Sequence, residues 1–261
     1  MLITTGRLGD LLAGPNDDLV VIDARPFSEY AKGHIPGAVN LDLFAFHWND
    51  TSARGVAEFD RQAARLLGFA GVTRDRTVVV YDGQSGMLAA RGVWMLRYMS
   101  HGDSYMLDGG FAAWRGESKP VETRTSAPRP TMFEPRPDPS VLAGYEYVAS
   151  NLDRLVLVDA RSPEEYGGTV FRAARAGHIP GATNIDWSRN LAGDGRLKDR
   201  GRLAEMYGGI PRDSEVVTYC QGAYRAANSF VALKTAGFEN VRVYLGSWGE
   251  WGNVPSLPSE T

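Results

Sequence analysis

Cysteine is almost absent from the chain: Cys220 is the single one. That excludes an internal disulfide and a multi-cysteine metal site, and it makes a reducing cytoplasm the expected compartment. Histidine is scarce too, and the four (His34, His47, His101, His178) are scattered along the sequence. No metal and no cofactor are expected from such spacing. Neither sign of charge dominates: 28 Lys+Arg against 31 Asp+Glu give a net −3. Without a basic excess, nucleic acid is not an expected partner. No apolar run approaches the roughly 20 residues that span a bilayer, so no membrane partner is expected either. The opening Met1–Arg7 segment lacks the basic-then-apolar order of a secretory signal. What remains is an ordinary globular composition, 43% hydrophobic and 23% charged. At roughly 150 residues per domain, 261 residues fall between one domain and two.

The chain repeats itself. Asp23-Ala24-Arg25 recurs as Asp159-Ala160-Arg161, and Gly33-His34-Ile35-Pro36-Gly37-Ala38 as Gly177-His178-Ile179-Pro180-Gly181-Ala182. Between Tyr166 and Gly177 the second copy holds residues 167–176, where the first has only 31–32, an insertion of eight. Later, the VVVYD run ending at Asp82 matches VVTYC ending at Cys220. Gly109-Gly110-Phe111-Ala112-Ala113-Trp114 matches Gly246-Ser247-Trp248-Gly249-Glu250-Trp251. Four matches in one order define two copies of a single domain. The expected division is 1–121, a linker over 122–139 with five prolines, and 140–261.

Each copy reads as an α/β unit. Leu19–Ile22, Thr77–Tyr81, Val156–Val158 and Val216–Tyr219 are short β-branched runs without alternation. Such runs suit strands of a parallel sheet covered by helices on both faces. Ala226 to Ala236 carries apolar residues at helical spacing, with Gly237 as its stop. The expected fold is therefore a small wound parallel sheet, built twice in tandem.

Cys220 falls where a strand gives way to a helix, in the loop Cys220-Gln221-Gly222-Ala223-Tyr224-Arg225. Strand carboxyl ends are where wound sheets bind ligands. A helix N-terminus there offers unpaired N–H groups and the positive end of a dipole, a setting that favours a thiolate. Gly222 is expected to let the loop curl so that successive N–H groups face one centre. Arg225 adds a permanent cation suited to an anionic substrate. Cys220 is thus the candidate nucleophile, and Gln221, Gly222, Ala223, Tyr224 and Arg225 the candidate substrate-binding residues. The first copy has Asp82 at the matching position and offers no thiol nucleophile; that copy is expected to be silent.

The Cys-x-x-x-x-Arg loop, both DAR…GHIPGA segments and the ending GSWGEWGN together resemble rhodanese, and more closely the bacterial two-domain thiosulfate sulfurtransferases. The resemblance covers nearly the whole chain. It implies two similar α/β domains with the active cysteine in the second. It further implies ping-pong transfer of sulfane sulfur from thiosulfate to cyanide or another thiophilic acceptor, through a Cys220 persulfide. The chain also departs from the pattern. Where several animal members carry substrate-binding cations, Glu165 and Gly222 stand here. Arg225 is expected to replace them, with Arg172 and Arg175 of the insertion as further candidates to reach the site.

The loop differs from the Cys-Gly-Ser-Gly pattern of mercaptopyruvate sulfurtransferases, which favours thiosulfate as donor. A mercaptopyruvate sulfurtransferase and a persulfide carrier without turnover stay open as alternatives. A Cys-dependent phosphatase or arsenate reductase fits least, since those loops place five residues between Cys and Arg, not four. Residues shared by the active and silent copies are expected to be structural: His34 and His178 as turn braces, Asp159 and Arg161 as an ion pair. Trp187, Trp248 and Trp251 are expected in core or interface positions.

Overall fold

The computed structural model describes residues 1–14 and 17–261. Contacts divide the chain into two compact units. Unit 1 comprises Met1–His47, Phe59–Pro137 and Leu191–Leu197; unit 2 comprises Trp48–Glu58, Asp138–Asn190 and Lys198–Thr261. Two departures from the expected division stand out. The proline-rich stretch up to Pro137 belongs to unit 1, where Thr131 N–H donates to the Gly68 carbonyl and Phe133 is buried. Proline removes its own donor but leaves its neighbours free to pair, so the segment lies bonded along the unit. Each unit also takes a short segment from the other copy's sequence: 191–197 in unit 1, 48–58 in unit 2.

Unit 1 contains β1 (Leu2–Ile3), α1 (Thr5–Ala13), β2 (Leu19–Asp23), α2 (Phe27–Tyr30), β3 (Val39–Asn40), part of α3 (Ala53–Phe69), β4 (Thr77–Tyr81), α4 (Met87–Tyr98), β5 (Ser104–Leu107) and α5 (Gly110–Gly116). Unit 2 contains β6 (Leu142–Ala143), α6 (Tyr145–Ala149), β7 (Val156–Asp159), α7 (Pro163–Tyr166), β8 (Thr183–Asn184), α8 (Arg200–Met206), β9 (Val216–Tyr219), α9 (Tyr224–Ala236), β10 (Val241–Tyr244) and α10 (Ser247–Trp251). Their sheets are all-parallel with orders β1-β5-β4-β2-β3 and β6-β10-β9-β7-β8. The β-branched runs are the central strands, and Val78–Tyr81 and Val216–Tyr219 are buried along their whole length. Helix α9 begins two residues before the predicted start and ends on Gly237 at φ 98°, as the sequence suggests.

This strand order places the site. Chain progression turns one way from β7 to β8 and the other way from β9 to β10. The carboxyl ends of β7 and β9 therefore flank the switch point where a wound sheet opens its crevice. Asp159 ends β7, and Cys220 directly follows β9. In unit 1 the same two positions hold Asp23 and Asp82.

A buried ion pair fixes each of those ends. Arg161 donates from Nε and Nη2 to the Asp159 carboxylate, at 3.0 and 2.6 Å, and from Nη2 to the Gly177 carbonyl at 2.7 Å. Asn184 Nδ2 closes the turn on the Asp159 and Arg161 carbonyls. Arg25, Asp23, Gly33 and Asn40 repeat the arrangement in unit 1. The histidines brace turns. His178 Nδ1 meets the Tyr166 carbonyl at 3.0 Å while its ring stacks on Tyr166, and His34 does the same with Tyr30. A carbonyl partner fixes Nδ1 as the donor. Trp248 and Trp251 are fully buried, with the Arg161 guanidinium 4.8 Å from the Trp248 ring; Trp187 is partly exposed.

Removing one partner of a fully buried pair leaves an uncompensated charge, which costs about 3–5 kcal/mol. Arg161→Met is expected to destabilise unit 2 by that amount in urea unfolding. A loss below about 1 kcal/mol, the range of an exposed pair, would contradict the role assigned to it.

Candidate active site

Cys220 is 1% exposed, between the last residue of β9 and the N-terminus of α9. The left-handed position of its loop falls on Ala223 (φ 66°), the N-cap of α9. A left-handed alanine carries a steric cost, so its surroundings must hold it there. Ser247 does so. Its Oγ accepts from Ala223 N–H at 3.1 Å and from Cys220 N–H at 3.2 Å, and donates to the Tyr244 carbonyl at 2.8 Å. The first turn of α10 completes the seat: Trp248 N–H donates to the Cys220 carbonyl at 2.9 Å and Gly249 N–H to the Gln221 carbonyl at 2.8 Å. A Cβ on Gly249 would sit 2.7 Å from that Gln221 oxygen, so only glycine fits.

These bonds divide the loop's donors. Cys220 and Ala223 N–H are committed to Ser247. Among the described residues, no acceptor engages the N–H groups of Gln221, Gly222 and Arg225. Tyr224 opens α9 and is buried.

Arg225 is not a free cation. Its Nη1 and Nη2 grip both oxygens of Glu165, at 2.5 and 3.0 Å. Glu165 is 5% exposed and set by a capping box with Ser162 at the start of α7. Burial disfavours charge on both partners, yet the paired bonds outweigh it. Arg225 is raised, with the Cys220 sulfur also contributing, and Glu165 is lowered. Glu165 stands where the resemblance led one to look for a second cation, so the site carries a compensated pair instead of two positive charges. Arg175 does not supply the missing charge. Its guanidinium donates to the carbonyls of Trp251, Gly252, Val254 and Leu257 and holds the chain after α10. Arg172 is exposed and meets the loop through its backbone, its carbonyl accepting from Gln221 Nε2 at 3.2 Å.

Unit 1 shows what the loop geometry does when the cysteine is a carboxylate. Asp82 accepts from the N–H groups of Gly86, Leu88 and Ala89, at 3.0, 3.0 and 3.1 Å, at the N-terminus of α4. An anion at the strand end sits in the helix dipole, but here the anion belongs to the chain itself. Phe111 and Ala112 N–H donate to the Asp82 and Gly83 carbonyls, matching Trp248 and Gly249. Gly110 (φ 55°) takes the place of Ser247 (φ 54°), and a Cβ there would lie 2.5 Å from the Gln84 carbonyl. Sequence reasoning missed Ser247 although its motif was in view. The signal available in the sequence was a serine where the first copy has a glycine.

The fold is an α/β domain built twice, with a buried cysteine at a helix N-terminus in one copy and a carboxylate at the matching place in the other. The Rhodanese-like domain model matches residues 4–117 and 145–253. The chain is 35% identical over 266 residues to a thiosulfate sulfurtransferase of Pseudomonas aeruginosa, covering 100% of this chain and 97% of the relative. It is 33% identical over 275 residues to the sulfur carrier protein TtuD of Thermus thermophilus, covering 99% and 95%. Among solved structures, the anaerobic ergothioneine biosynthesis enzyme from Chlorobium limicola superposes with a TM-score of 0.89. That likeness has 23% identity and covers 100% of this chain and 70% of that one, and it speaks to the fold alone. The chain belongs to the rhodanese family and is a sulfurtransferase with two rhodanese-like domains in tandem. No helix among the described residues is long and apolar enough to cross a membrane.

The Asp82 site gives a pH prediction. Burial pushes its carboxyl up to about 6, against the pull of its N–H donors. The folded chain therefore holds this proton more tightly than the unfolded chain. Its contribution to stability is full below about pH 4 and is lost as pH rises through about 6. Asp82→Asn is expected to flatten that fall in denaturant unfolding; a slope identical to wild type would refute it.

Proposed function

We propose that the chain transfers sulfane sulfur from thiosulfate to a thiophilic acceptor such as cyanide, with Cys220 as the carrier. The observation that carries this reading is the position of Cys220: on a helix N-terminus, beside Arg225, at the point where the silent copy places a carboxylate. The Cys220 thiolate attacks the outer sulfur of thiosulfate. A new S–S bond forms, the bond to the sulfonate sulfur breaks, and sulfite leaves with the electron pair. Cyanide then attacks the terminal sulfur of the persulfide; thiocyanate departs and the thiolate returns. Splitting the transfer in two lets one cradle serve both steps, as covalent catalysis requires.

The Gln221, Gly222 and Arg225 N–H groups are the donors this reading assigns to the sulfur anion, with Ala223 shaping the loop and Tyr224 starting the helix that aligns them. Arg225, balanced by Glu165, orients more than it attracts. The N-terminal copy is silent in this chemistry. A reducing cytoplasm suits an enzyme whose only cysteine must stay free. The likeness to a sulfur carrier favours one second reading, in which the same persulfide passes to a protein acceptor without rapid turnover on small thiophiles.

Thiocyanate formation from thiosulfate and cyanide is expected for wild type and absent for Cys220→Ala. Thiosulfate alone should add one sulfur atom to the intact mass of wild type and none to the variant. A folded, reduced wild type that gains the sulfur but makes no thiocyanate would support the carrier reading. One that gains none would sink thiosulfate as donor, with mercaptopyruvate next to be tried.

A further inference from the structure

Among the matched positions at which the cysteine-bearing copy differs from the first are Cys220 for Asp82, Ser247 for Gly110, and Glu250 for Ala113. The first two have been accounted for. Glu250 is a buried carboxylate, 8% exposed, that the sulfur chemistry does not use. It lies on α10, three residues beyond Ser247 and one beyond Gly249, the helix on which the Cys220 loop is seated. Its partners are specific. Glu250 Oε1 accepts from Thr51 N–H at 2.6 Å; Oε2 accepts from Thr51 Oγ1–H at 2.5 Å and from Tyr244 O–H at 2.8 Å. Thr51 is itself buried, and its Oγ1 accepts from Tyr145 N–H at 2.9 Å. Thr51 lies in the 48–58 segment, which precedes every strand of unit 2 in sequence yet is part of that unit.

We infer that Thr51 is a positioning residue for the Cys220 loop, acting through Glu250 and α10. This rests on the reading of Cys220 as the sulfur carrier. The path is short and made of bonds: Thr51 to the Glu250 carboxylate, Glu250 through one turn of α10 to Ser247, Trp248 and Gly249, and those three to the Cys220, Gln221 and Ala223 backbone. A carboxylate with charge-assisted bonds from both the N–H and the O–H of one residue is held more strictly than by a single contact. Unit 1 is built reciprocally. Its 191–197 segment, from the other copy's sequence, reaches the silent loop: Leu197 N–H donates to Asp108 Oδ1 at 2.9 Å, Ser85 Oγ donates to the same oxygen at 2.8 Å, and Ser85 N–H donates to the Gly195 carbonyl at 2.9 Å. Each loop is thus braced by a segment encoded in the opposite repeat. Only in unit 2 does the brace end on a buried carboxylate behind a cysteine. This gives the first repeat a part in the chemistry although it has no nucleophile of its own.

The test is Thr51→Val in the full chain, which keeps the shape and removes the hydroxyl, with Thr51→Ser restoring it. Thiocyanate formation from thiosulfate and cyanide should lose about tenfold or more in kcat for the valine variant, as a small misplacement of reacting groups does. The KM for thiosulfate should change by less than about twofold, because the lost interaction does not touch substrate. The serine variant should return to wild type. Amide hydrogen exchange gives a readout independent of turnover. The Cys220–Tyr224 segment should exchange faster in Thr51→Val than in wild type or Thr51→Ser, with β7 unchanged. Equal exchange in that segment, or a kcat unaffected by the valine, would overturn the inference. So would a uniform rise in exchange across unit 2, which would mark a general loss of stability. If wild type forms no thiocyanate, it is the sulfur-transfer reading that fails, and the exchange comparison still decides whether Thr51 positions the loop.

Discussion

The structure turns on one electrostatic fact: a parallel strand that ends where a helix begins leaves a cluster of unpaired N–H groups needing a negative partner. Both copies of the domain have that junction, after β4 and after β9. In the first copy the chain answers with its own carboxylate, and Asp82 binds three N–H groups of α4. In the second the matching place holds Cys220, and among the described residues no acceptor engages the Gln221, Gly222 and Arg225 N–H groups. At the strand end itself the two junctions differ by one side chain, a carboxylate in the first copy and a thiol in the second.

What surrounds Cys220 follows from keeping that junction ordered without filling it. Ser247 takes two of the loop's N–H groups and so decides which ones are left. The first turn of α10 holds the loop's carbonyls. Glu165 keeps the Arg225 guanidinium in place and balances its charge. In the proposed sulfur transfer, a site with this balance would hold an anion mainly by oriented backbone dipoles, which cost little reorganisation during reaction. The Asp159–Arg161 pair and the Tyr166–His178 stack serve a different purpose. They occur in both copies and fix the strand end and the GHIPGA turn, whether or not a cysteine is present.

Much of this was legible because the sequence contains its own control. Residues common to both repeats, such as Asp159, Arg161 and His178, proved to be braces. The β-branched runs became central strands because they are buried on both faces, where an uninterrupted apolar pattern has no helical alternative. The Cys-x-x-x-x-Arg spacing put the thiol and the guanidinium at one helix N-terminus. Other features were not legible. The pairing of Arg225 with Glu165 joins residues 60 positions apart. The proline-rich stretch read as a semi-rigid, extended linker, and its part up to Pro137 is bonded along unit 1. Gly222 was expected to curl the loop, and nothing in the sequence marked Ala223 as its left-handed residue, with its N–H held by Ser247.

The sequence by itself determined the duplicated α/β architecture, the place of the one cysteine and the carboxylate that stands at the matching place in the first copy. These depend on local pattern: strand runs, a loop spacing, and which side chain stands at a strand end. Only the tertiary structure decided how the loop is held, because its braces come from distant parts of the chain. Ser247 and Glu250 on α10, Glu165 on α7 and Thr51 in the 48–58 segment have no mutual spacing that a linear reading could detect. Their hydrogen bonds form only once the folded backbone sets the distances, and the Cys220 loop takes its shape from those bonds.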